Sequence, residues 1–152
     1  MTTQNGWTEI QTDWLGGMAF LGTNHEGAMV QMGSLEGEPA LRPMQLMLTS
    51  LAGCTGMDIV SILKKKRLEP DKFRIQVRGL RADTHPRVYT QIEVQYLLWG
   101  DGLDAKSVEQ AIQLSEEKYC SARAMLAGVV KITSTYQIFA GSRIPARESH
   151  CT

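Results

Sequence analysis

Residues 42–66 constrain this chain more than any other stretch. They run from Arg42-Pro43-Met44-Gln45-Leu46 through Ala52-Gly53-Cys54-Thr55-Gly56 to Lys64-Lys65-Lys66. The stretch reads as one long helix. Pro43 suits the first turn, where its missing N–H has no intrahelical partner to lose. Lys64, Lys65, Lys66 and Arg67 fall at the other end, where the negative pole of a helix favours cations. Between them nearly the whole circumference is apolar or small, and a helix apolar all round is expected to be buried. At about 1.5 Å per residue the rod is roughly 36 Å long, about the width of a small domain. One sheet is too little to cover it. The rest of the chain, and a second copy of it, are the candidates to wrap around it.

The 152 residues suit one domain, expected over residues 1–140, with a loose, proline-containing tail over 141–152. Lys+Arg and Asp+Glu balance at 16 each, so no global field calls for nucleic acid. Nine basic residues and only three acids lie between Lys64 and Arg87. Arg74 and Arg78 fall on the polar parity of a strand, and the cluster shows no pattern of interleaved aromatic and basic residues, its one aromatic, Phe73, falling on the apolar parity, which favours a solvated face. The start of the chain is polar and reads as no signal peptide. Gln45, Thr49, Ser50, Asp58 and Ser61 argue against a membrane span for the long helix. A soluble, cytoplasmic protein is expected. The cysteines (Cys54, Cys120, Cys151) and histidines (His25, His85, His150) form no zinc-type spacing, so neither a metal site nor a cofactor is expected.

In chain order, Glu9–Trp14, Met18–Thr23 and Ala28–Met32 read as a three-stranded meander punctuated by Gly16-Gly17 and Asn24-His25-Glu26-Gly27. After the long helix, Phe73, Ile75 and Val77 alternate with polar residues. Ile92, Val94, Tyr96 and Leu98 do the same beyond the His85-Pro86 turn, giving a long antiparallel hairpin. Asp104 is a good N-cap for a helix over 105–118, whose Glu116, Glu117 and Lys118 read as a solvated face. Ser121 is placed to cap a short helix ending at Gly128, and 129–139 form a last strand. The order β-β-β-α-β-β-α-α-β, with hairpins and helices segregated, defines an α+β fold.

Gly53 and Gly56 flank Cys54 and weaken the helix by about 1 kcal/mol each relative to alanine, which points to close approach of another backbone. Cys120 falls at a helix junction, where free N–H groups can stabilise a thiolate. Spacing alone favours a small buried hydrophobe at Cys54 and no role at Cys120. Pro43-Met44-Gln45-Leu46, Ala52-Gly53-Cys54 and Cys120 before a short helix and final strand change that balance. Together they resemble the OsmC/Ohr family over roughly residues 8–139, closest to its YhfA-like branch. The resemblance implies an intertwined homodimer with the long helices packed together and a site at the dimer interface. It also implies a thiol peroxidase that reduces small organic hydroperoxides. Cys54 takes the peroxidatic position, Cys120 the resolving one, and a dithiol or thioredoxin-like partner restores both. The chain departs from the family in lacking its arginine, whose position falls near Ser34, and in carrying Met44 where the family has an orienting glutamate. Arg42 and Arg123 are the candidates to activate the thiolate instead. The alternative is a non-catalytic or redox-responsive dimer of the same fold that binds an apolar small molecule, with Met44, Met47 and Met57 lining its pocket.

Overall fold

The computed structural model describes residues 6–141, so Cys151, His150 and the expected loose tail beyond Gly141 lie outside the described residues. The chain divides between Met47 and Leu48 into two compact units.

The first unit holds the meander. Strands β1 (Ile10–Gly16), β2 (Ala19–Asn24) and β3 (Met29–Met32) pair antiparallel in the order β1-β2-β3. The Gly16-Gly17 turn is closed by the Trp14 indole N–H, which donates to the Gly17 carbonyl at 3.1 Å. Asn24 builds the second turn, its side chain accepting from the Glu26 and Ala28 amides. Gly33, at φ +69°, ends the sheet where no side chain fits: a Cβ there would lie 1.9 Å from the Met18 carbonyl oxygen.

Helix α1 (Pro43–Lys65) starts in the first unit and continues into the second, with Lys64 and Lys65 in its last turn. This chain by itself covers only part of the apolar circumference. Within this chain Leu51, Thr55, Gly56, Ile59 and Leu63 are buried, a single stripe at helical spacing, while Met57 is 77% exposed. By length and composition α1 is apolar enough to span a membrane, a property shared by the core helices of soluble proteins.

The second unit is built on β4 (Lys72–Arg81), β5 (Tyr89–Trp99) and β6 (Lys131–Phe139). β5 is central, antiparallel to β4 and parallel to β6. Ile92, Val94, Tyr96 and Leu98 point inward, as their alternation predicts, and Arg74 and Arg78 lie exposed on the polar parity. Gly56 marks where α1 meets this sheet: a Cβ there would come within 2.8 Å of Ile75 Cδ1. The glycine therefore accommodates a strand side chain and not a second backbone. Gly53 faces open space within the chain.

The helix expected over 105–118 is two pieces. Helix α2 (Ala105–Leu114) is capped by Asp104, whose carboxylate accepts from the Ser107 amide at 2.8 Å. A π-helical turn, Ser115–Tyr119, follows it. Helix α3 (Ser121–Ala127) then leads to Gly128 and β6, and its N-cap is Cys120 and not Ser121.

Candidate functional site

The second unit brings five segments together around two thiols. α1 contributes Cys54, Thr55 and Asp58. Asp58 lies four residues after Cys54, one turn on, so the two share a helix face. The π turn contributes Ser115 and Glu116, and the N-terminus of α3 contributes Cys120 and Arg123. β5 and β6 supply Tyr96 and Ser134 from the sheet.

The π turn is what delivers Cys120. Its amide bonds the Ser115 carbonyl at 2.8 Å, five residues back, and the chain then breaks into extended backbone at Cys120 before α3 begins. Such single-turn widenings of a helix recur at functional sites. Cys54 Sγ, Cys120 Sγ and an Asp58 carboxylate oxygen all lie within 4.8 Å of one another. Both cysteines are free thiols, Cys54 half-buried and Cys120 only 3% exposed. A disulfide needs its sulfurs at about 2.05 Å, so closure asks for a movement of less than about 3 Å.

The two sulfurs have different surroundings. Cys120 Sγ accepts the Arg123 amide N–H at 3.4 Å, as an N-cap side chain does, and sits 3.3 Å from the Thr55 hydroxyl. Thr55 is 1% exposed, and its hydroxyl donates to the Leu51 carbonyl at 2.9 Å. A hydroxyl has one hydrogen. While Thr55 gives it to Leu51, the Cys120 thiol must be the donor to Thr55 Oγ1. If Cys120 ionises, the same hydroxyl can turn and donate to the thiolate. Burial pushes the Cys120 thiol above its ordinary pKa, opposed by the Thr55 and Arg123 hydrogen bonds, while neighbouring Cys54 pushes it further up.

Two polar clusters frame the pair. Ser115 is fully buried, and its hydroxyl donates to Asp58 Oδ2 at 3.0 Å, fixing that carboxylate beside the sulfurs. Asp58 also lines a surface hollow with Ser61, Lys65 and Tyr119. In the second cluster, Arg123 and Glu116 form an ion pair at 3.2 Å, their side chains 15% and 16% exposed. Arg123 further donates to Ser134 Oγ at 3.3 Å and to the Ile132 carbonyl at 3.4 Å. Glu116 accepts from Ser134 and, at 3.0 Å, from the Tyr96 hydroxyl. Burial and the Glu116 charge push the Tyr96 phenol well above its ordinary pKa, so it stays protonated and donates to Glu116.

One reading of the sequence is corrected here. Glu116 is not part of a solvated face but an acceptor in a nearly buried network. Arg123 touches the Cys120 sulfur through its amide, while Glu116, Ser134 and Ile132 hold its guanidinium. The cysteines do take part in a constellation of metal-ligating type, through Asp58. Arg42 belongs to the first unit. Its amide bonds Gln45 Oε1 at 2.9 Å, and it lines a hollow there with Met18, Pro39 and Pro43. Thr55, Asp58 and Ser115 went unrecognised as site residues. For Thr55 and Asp58 a signal existed, since both are polar residues next to Cys54 or one turn from it in an otherwise apolar helix.

An α+β fold with a long apolar helix carrying one thiol, and a second thiol at the mouth of a short helix beside it, defines a class of paired-thiol proteins. The chain belongs to the OsmC-like family, whose model matches residues 35–135. It is 33% identical over 132 residues to Protein YhfA of Escherichia coli, covering 87% of this chain and 98% of that protein. A crystal structure of a hypothetical protein from Aquifex aeolicus superposes with a TM-score of 0.80 at 33% identity, over 89% of this chain and 98% of that one. The organic hydroperoxide resistance protein OhrB of Bacillus subtilis shares the fold at a TM-score of 0.59 and 18% identity, over 86% of this chain and 98% of its own.

Proposed function

We propose that this protein is a thiol-dependent reductase of small organic hydroperoxides, with Cys54 as the attacking thiol and Cys120 as the resolving one. The observation that carries this reading is the meeting of two free thiols from separate elements, one half-open and one sealed. The open thiol meets the peroxide first. The Cys54 thiolate attacks the distal oxygen and the O–O bond breaks. The alkoxide leaves and takes up a proton as the alcohol, and Cys54 becomes a sulfenic acid. The Cys120 sulfur then attacks the Cys54 sulfur. Its thiol proton joins the departing hydroxide as water, and a disulfide forms. A dithiol or thioredoxin-like reductant returns two electrons and two protons.

In this reading Arg123 acts through its amide on Cys120, with Glu116 holding its side chain in place. The two units work as one OsmC-like domain over residues 1–140 in a cytoplasmic homodimer, and the partner covers the exposed Met57 side of α1. A redox-responsive dimer that binds an apolar molecule is the second reading. It is favoured by the commitment of the Arg123 guanidinium to Glu116, which leaves it less free to activate Cys54. Steady-state turnover of cumene hydroperoxide with a dithiol separates the two. The peroxidase reading predicts turnover that drops at least about a thousandfold in Cys54→Ser. Oxidation of the thiols without turnover would leave the second reading.

A further inference from the structure

We propose that the reduced thiol pair, together with Asp58, is a binding site for a thiophilic divalent cation of the zinc class. The proposal stands on the placement of three side chains and does not depend on the peroxidase reading.

The donor atoms come from two elements that the fold holds together, α1 and the N-terminus of α3, and all lie within 4.8 Å of one another. A tetrahedral zinc ion with bonds of about 2.3 Å to sulfur and 2.0 Å to oxygen sets its ligand atoms about 3.5–3.8 Å apart. The approach required is therefore about 1 Å, within reach of side-chain rotation. Two thiolates and a carboxylate form a donor set that selects zinc-like ions over magnesium or calcium.

Two further observations support the site. The Asp58 carboxylate is oriented by a fully buried hydroxyl: Ser115 donates to Oδ2 at 3.0 Å, the kind of outer hydrogen bond that fixes a metal-binding carboxylate. Once binding has displaced the two thiol protons the donor set carries three negative charges, and Arg123 near Cys120 is already paired with Glu116 at 3.2 Å, so the divalent ion itself offsets them. Three protein ligands leave a fourth position for water, as in zinc sites that exchange ligands. Binding releases the thiol protons and occupies both sulfurs, so the cation and disulfide formation exclude each other.

The test uses the full chain in a Cys151→Ser background, reduced, with Zn²⁺ alone in a competition titration against a chromophoric chelator and Co²⁺ as a spectroscopic probe. The expected result is one ion per chain and a thiolate-to-cobalt charge-transfer band. Bound Zn²⁺ also protects Cys54 from alkylation. Asp58→Asn weakens Zn²⁺ binding at least about tenfold, and Cys54→Ser diminishes the charge-transfer band. Circular dichroism verifies that both variants are folded, and Ser115→Ala, which leaves all three donors in place, weakens binding by a smaller factor. Absence of stoichiometric binding by the reduced protein overturns the proposal, as does binding unchanged in both Asp58→Asn and Cys54→Ser. Neither result bears on hydroperoxide turnover, which is measured without metal.

Discussion

Cys54 and Cys120 meet in one site, yet the fold treats them differently. Cys54 sits on the side of a continuous helix, half-buried, with an apolar stripe to one side and exposed Met57 to the other. Cys120 sits where a helix widens, breaks and restarts, and its sulfur is held by an amide N–H and faces a buried hydroxyl. An open thiol is free to meet a substrate. A sealed and oriented one is suited to wait for an intermediate formed beside it. The contrast also separates two kinds of support. Cys54 is carried on α1, whereas Cys120 is held by Thr55, the π turn and the Glu116–Arg123 pair.

The comparison is broken most forcefully at Glu116. Glu116→Ala leaves a nearly buried guanidinium without its carboxylate and removes the acceptor of Tyr96 and Ser134. Loss of one partner of a buried pair costs about 3 kcal/mol, a fall in melting temperature of roughly 10 °C for a chain of this size. Thermal unfolding followed by circular dichroism measures it. An unchanged melting temperature would mean that the pair does not brace the Cys120 side.

A smaller effect is expected at Thr55. Thr55→Val keeps the shape but removes both the acceptor for the Cys120 thiol and the donor to its thiolate. One such hydrogen bond contributes about 1 kcal/mol, so the Cys54 sulfenic acid should resolve roughly fivefold more slowly. Thr55 opposes the rise in the Cys120 pKa, so its loss also moves the pH–rate profile for disulfide formation to higher pH. Stopped-flow measurement across pH reports both. A faster or unshifted profile would remove Thr55 from the account.

Much of the frame was legible in the residues. Period-two alternation located the β4–β5 hairpin and its inward face, Pro43 and the lysines bounded α1, and Asp104 capped α2 as read. These features are local, set by neighbours within a turn or a pleat. The site is not local. Cys120 meets Thr55 across 65 positions and Ser115 meets Asp58 across 57, and no periodicity encodes such pairings. The charge of Glu116 hid it as well: position 116 follows Val108 by eight residues and Ile112 by four, which borders the buried face, but an acidic side chain there shows no partner until Arg123 and Tyr96 are placed beside it. The all-round apolar character of α1 was read correctly as composition. Which part of it this chain covers was not legible, because the sequence pattern says which surface is apolar but not which partner covers it.

The account turns on Cys54 and Cys120 reacting with each other. The most direct measurement adds one equivalent of cumene hydroperoxide to the reduced Cys151→Ser protein, followed by digestion and mass spectrometry. The predicted result is a peptide pair linked through Cys54 and Cys120, two hydrogens lighter than the sum of its parts, with both free thiols lost. Cys54 oxidised to a sulfinic acid with Cys120 still free, or both thiols untouched, would contradict it.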